Sequence, residues 1–87
     1  MNKDTLLIRI EELISSLDGN RAAQAYYLKV KDRLLNITNE DELKKILNAI
    51  CSSAKIKDAH GFNRIQSDIW NKMWQEADKI LSKMNKD

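Results

Sequence analysis

The stretch that most constrains this chain is Asn63 to Met84. It carries Ile65, Ile69, Trp70, Met73, Trp74, Ala77, Ile80, Leu81 and Met84, large apolar side chains at three- and four-residue steps. That period belongs to a helix, where such residues fall on one side. Ile65, Ile69, Met73, Ala77, Ile80 and Met84 form one row, and Trp70, Trp74 and Leu81 form a second beside it. A helix of this stretch is roughly 33 Å long. It requires other helices to cover it, or it leaves an apolar strip exposed.

The rest of the chain supplies those helices. Leu6, Leu7, Ile10, Leu13, Ile14 and Leu17 give a first stripe over about 4–17, closed by Asp18-Gly19. Glycine there takes the left-handed conformation that a helix C-terminus needs. Asn20 is placed to cap a second helix over about 21–37, with the stripe Ala23, Tyr27, Val30, Leu34 and Ile37. Thr38-Asn39-Glu40-Asp41-Glu42 then reads as a helix start: Asn39 with Glu42, or Thr38 with Asp41, has capping-box spacing, and the acids suit the positive end of the helix dipole. A third helix follows over about 40–57, with Leu43, Ile46, Leu47, Ile50 and Ala54 facing inward. Asp58-Ala59-His60-Gly61 forms a last link, and Asn63 with Gln66 a second capping pair.

Four helices over about 4–17, 21–37, 40–57 and 63–84, joined by short links, predict an all-α antiparallel four-helix bundle in a single domain spanning residues 1–87. With 87 residues and no proline, the chain has the size and composition for this fold. Met84-Asn85-Lys86-Asp87 is expected to fray. Apolar runs such as Leu6–Ile8 and Ala49–Cys51 are only a few residues long, so no segment spans a bilayer. The opening residues lack the apolar core of a secretory signal, which gives a cytoplasmic expectation.

Catalysis finds little to work with. The one cysteine, Cys51, and the one histidine, His60, lie nine residues apart, so neither a dyad nor a structural zinc site is expected. The acids of 40–42 lack the glycine and spacing of a calcium loop. Gly19 and Gly61 are the only glycines, too few for a phosphate-binding loop. The expectation is a protein with no catalytic residues, no metal and no cofactor.

Charge is distributed unevenly. Residues 1–20 hold two basic and four acidic side chains, net −2. Residues 21–37 hold Arg21, Lys29, Lys31 and Arg33 against Asp32, net +3, and residues 55–64 hold Lys55, Lys57 and Arg64 against Asp58, net +2. Basic faces of this kind meet phosphates, an anionic membrane surface or an acidic partner, or are simply solvated. Trp70 and Trp74, at i and i+4, read either as core packing or as a recognition patch rimmed by Lys72, Gln75 and Lys79. The candidate partner-binding residues are therefore Lys55, Lys57, Arg64, Trp70 and Trp74, and the candidate partner is another protein.

One family shows this order of elements. Leu6-Leu7-Ile8-Arg9-Ile10-Glu11-Glu12-Leu13-Ile14 is followed by Tyr26-Tyr27-Leu28-Lys29-Val30-Lys31-Asp32-Arg33-Leu34-Leu35. The acid-capped Asp41-Glu42-Leu43-Lys44-Lys45-Ile46-Leu47 and a long last helix come next. In size and helix order the chain resembles the enterocin-A-type (class II) bacteriocin immunity proteins. The resemblance implies a cytoplasmic bacterial four-helix bundle that occludes a complex of toxin and membrane transporter from the inner face of the membrane. Recognition is associated in that family with the third and fourth helices, their link and the C-terminal tail. Here only three residues follow Met84, which removes a long tail from what the resemblance carries over. A second set, Tyr27-Leu28-Lys29 with Ser67-Asp68-Ile69-Trp70-Asn71-Lys72, resembles the small Hha-like nucleoid modulators. It implies a nucleic-acid-associated regulator using Lys29, Lys31 and Arg33. A structural subunit, or a homodimer through the last helix, is the remaining alternative.

Overall fold

The computed structural model describes residues 3–85. Five helices follow in order: α1 Asp4–Ser16, α2 Arg21–Leu35, α3 Glu40–Cys51, α4 Ala54–Ala59 and α5 Arg64–Met84. No strand occurs among the described residues. The four long helices form the expected all-α bundle, 39 × 22 × 19 Å. The fraying expected at the C-terminus falls partly on Lys86 and Asp87, outside the described residues.

The organising role of the last helix is visible in the packing. The 21-residue α5 lies against both α1 and α3, and α2 closes the ring between α1 and α3, diagonally across from α5. Leu6, Ile10, Leu13 and Leu17 from the first stripe meet Ala23, Tyr27, Val30 and Leu34 from the second. Leu43, Ile46, Leu47 and Ile50 of α3 and Trp70, Met73, Ala77 and Ile80 of α5 complete the core. Ala23 and Ala77 are wholly buried, which lets neighbouring helices approach closely at those points.

The caps explain where the helices start. The Asn39 side chain accepts from the Glu42 N–H at 2.9 Å, while the Glu42 carboxylate reaches the Thr38 N–H. Asn63 and Gln66 form a full capping box at 2.8 and 3.0 Å. Asn20 departs from expectation. Its side chain makes no cap bond with α2; the amide donates instead to the carbonyl of His60 at 2.9 Å, binding the α1–α2 link to the α4–α5 link.

The third predicted helix is not continuous. It breaks at Ser52-Ser53 into α3 and the six-residue α4. Ser53 is buried in the break. Its hydroxyl donates to the carbonyl of Ile50 at 2.7 Å and lies 3.1 Å from the Tyr27 hydroxyl. Serine offers the backbone a local hydrogen bond in competition with the helix ladder, and a buried phenol from α2 makes that alternative worth keeping. Ala54, expected to face inward, lies beyond the break and is exposed.

Candidate functional site

One end of the bundle gathers the features that the sequence singled out. The α1–α2 link, the end of α3, all of α4 and the first turns of α5 meet there. Besides the Asn20–His60 bond, the Gln66 amide donates to the carbonyl of Ser16 at 2.7 Å, fixing the start of α5 against the end of α1. The Trp74 indole donates to the carbonyl of Cys51 at 3.2 Å, covering a free carbonyl where α3 stops.

A directed chain of hydrogen bonds runs under this end. The Trp70 N–H donates to the Tyr27 hydroxyl at 2.8 Å. The single proton of the Ser53 hydroxyl is committed to Ile50, so the Tyr27 O–H donates to Ser53 and not the reverse. The order is Trp70 to Tyr27 to Ser53 to Ile50, with every donor satisfied. Burial pushes the Tyr27 phenol above the ordinary tyrosine value, with its hydrogen bonds with Ser53 and Trp70 opposing the shift. The Cys51 thiol is also raised, chiefly by burial and then by the negative charge of Asp78.

Above this floor sits α4. None of its residues is buried; Ile56 and Lys57 are half-buried and the other four are exposed. Ile56 packs against the core and is the one apolar side chain of α4 that does so, so the helix is held lightly. The Lys57 ammonium lies 4.8 Å from the centre of the Trp70 ring, a cation–π geometry. Lys55 and Arg64 are exposed on α4 and on the first residue of α5. The end thus presents Lys55, Lys57 and Arg64 against the single acid Asp58 of the same segment.

Of the two tryptophans, Trp70 is core. It is 5% exposed, so a partner does not touch it directly; its part in the site is to hold Lys57 from beneath. Its burial follows from the partner that Tyr27 offers its indole N–H. Trp74 is half-buried on the α3–α5 seam, with part of its ring accessible. His60 is the exposed C-cap of α4, and Cys51 is half-buried at the end of α3. Among the described residues, no cluster of three or more His, Cys, Asp or Glu side chains is arranged to hold a metal ion.

The basic residues of α2 do not form one surface. Lys31 turns to α1, 3.4 Å from the Glu11 carboxylate. Arg33 turns the other way and lines an open cleft of about 370 Å³ with Asn36, Glu42, Lys45 and Ile46.

Two features were not anticipated. The chain Trp70–Tyr27–Ser53 was signalled only by the need of buried tyrosine and tryptophan for polar partners. The exposed apolar side chains also lie elsewhere than expected. Among the described residues, the large ones are Ile8, Leu28, Leu35 and Ile65. Only Ile65 belongs to α5. The α1 and α2 helices carry the rest.

No helix of the described residues is long and apolar enough to cross a membrane. Compared with family models, curated proteins and solved structures, the chain matches none.

Proposed function

We propose that this protein is a non-catalytic protein-binding module that acts by occluding one partner, as the bacteriocin immunity proteins do. Its binding surface is the basic end formed by α4 and the start of α5. The observation that carries this reading is the placement of Lys57 over the buried Trp70 ring, between exposed Lys55 and Arg64, on a helix with no buried residue. Cations held on a small, weakly embedded element suit an acidic or polar partner surface, where complementary charge sets encounter rate and register. The accessible part of Trp74 adds an aromatic contact of the kind that dominates protein interfaces. In the immunity family this region, the third and fourth helices with their link, is where recognition is expected. The partner is then a protein complex at the inner face of the membrane, comprising a sugar transporter and the toxin bound to it.

Production of the protein in cells sensitive to class II bacteriocins tests this reading. Protection against at least one toxin of a panel is expected. Unchanged sensitivity across the whole panel would remove the immunity assignment.

A further inference from the structure

The exposed apolar residues of α1 and α2 are not scattered. Ile8, Leu28 and Leu35 are 55, 48 and 54% exposed, and all three lie on the outer face of the same helix pair. Ile8 points away from the core, roughly opposite Ile10 and Leu13 around α1. Leu28 and Leu35, seven residues apart, occupy one side of α2, next to its seam with α1. Three contacts fix the register of this antiparallel pair: Lys31 with Glu11, the Gln24 amide donating to the carbonyl of Ile14 at 3.0 Å, and the Lys3 ammonium donating to the carbonyl of Leu34 at 3.0 Å. In that register Ile8 falls at the height midway between Leu28 and Leu35.

The same face has a charge pattern. Asp4, Glu11 and Glu12 outnumber Arg9 around Ile8 on α1, and Arg21, Lys29 and Lys31 outnumber Asp32 around Leu28 on α2, although Glu12 pairs with Arg9 and Glu11 with Lys31 within the chain. An acidic helix and a basic helix lie side by side, and the face is complementary to itself under one rotation. A two-fold axis running along the α1–α2 seam sets α1 of one copy on α2 of the other. It preserves the heights, so Ile8 of each copy meets the hole formed by Leu28, Lys31, Asp32 and Leu35 of the other. Residues at i, i+3, i+4 and i+7 are the hole that a coiled-coil knob enters. Glu12 comes level with Lys29 of the second copy. An axis across the helices would instead set acid on acid and base on base, which disfavours it.

We infer that this face binds a second copy of the chain, forming a two-fold dimer with Ile8 of each copy between Leu28 and Leu35 of the other. Isologous dimers are the commonest closed assembly, and an apolar centre with a charged rim is their usual anatomy. The axis runs parallel to the helices, so both α4 ends face the same way and remain uncovered. The dimer does not depend on the function proposed above and is tested without it.

Sedimentation equilibrium over a concentration series measures the assembly, with circular dichroism as the folding control. The wild type is expected to form dimers. Ile8→Asp, an exposed change, keeps the helical signal and raises the dissociation constant about tenfold or more. Glu12→Lys and Lys29→Glu each weaken self-association, and an equimolar mixture of the two recovers a dimer. Ile65→Asp leaves the dimer unchanged. A wild type that stays monomeric up to its solubility limit overturns the inference. So does a dimer indifferent to Ile8→Asp, one dissociated by Ile65→Asp, or a charge-swapped mixture that does not reassociate.

Discussion

The indole N–H of Trp70 donates to the hydroxyl of Tyr27 at 2.8 Å, joining α5 to the helix diagonally opposite it. Tyr27 passes the interaction on to Ser53, at the break between α3 and α4. The contact therefore fixes three things together: the depth of α5, the rotation of α2 and the point where α3 stops. It also keeps Trp70 under Lys57.

Tyr27→Phe should cost about 2 kcal/mol, because it leaves the Trp70 N–H buried without an acceptor. In a domain of this size that lowers the melting temperature by roughly 10 °C. Ser53→Ala should cost about 1 kcal/mol or more, since the Tyr27 O–H then has no acceptor while the Ile50 carbonyl keeps the Ser53 backbone N–H at 3.1 Å. The double variant should cost less than the sum, as in a network acting as a unit. Urea denaturation of the four proteins checks this; simple additivity would contradict the chain of bonds.

Alkaline pH should destabilise the fold through Tyr27. Its folded-state pKa is raised by burial, so its contribution is fully present below the unfolded value of about 10 and is lost as pH rises from there toward the folded value. Absorbance of ionised tyrosine, followed beside circular dichroism, should show one tyrosine ionising only with unfolding. Complete ionisation of both tyrosines in a still-folded protein would contradict this.

The two links should differ in their tolerance of a side chain. Gly19 has φ 101° and Gly61 φ 60°, and a Cβ at either meets nothing within 4 Å. The cost of substitution is therefore backbone strain alone, about 1–2 kcal/mol for alanine. Gly61 lies in the left-handed region that asparagine tolerates, so Gly61→Asn should be milder than Gly61→Ala. Thermal melts compare the two directly.

Nucleic acid should not be bound through α2. Lys31 is turned to Glu11 and Arg33 to the α2–α3 cleft, so the basic residues do not follow one phosphate track. A titration with duplex DNA at two salt concentrations is expected to show no salt-dependent complex.

The sequence carried the helix order, both asparagine caps at α3 and α5, and the four inward stripes, because each rests on local spacing. The break at Ser53 was not legible. Ile46, Leu47, Ile50 and Ala54 continue a helical period through it, and the cause is a hydroxyl from another helix. Trp70 and Trp74 looked alike at i and i+4; their difference in depth comes from Tyr27 taking one indole N–H inside. Ile65 fitted the apolar row of α5, yet it is 69% exposed. It precedes Gln66, which already touches Ser16, the last residue of α1, so α1 does not reach far enough to cover it. At the candidate site, Lys55, Lys57 and Arg64 were legible as a charge run, but their support by Trp70 was not.

Binding through the basic end is put to the test by toxin protection in sensitive cells producing matched variants. Lys55→Glu, Lys57→Glu and Arg64→Glu together should abolish the protection given by the wild type while keeping its helical signal. Arg33→Glu, on α2, should leave protection intact. Full protection by the triple variant, or its loss only in the α2 variant, would contradict the assignment of the site to α4 and the start of α5.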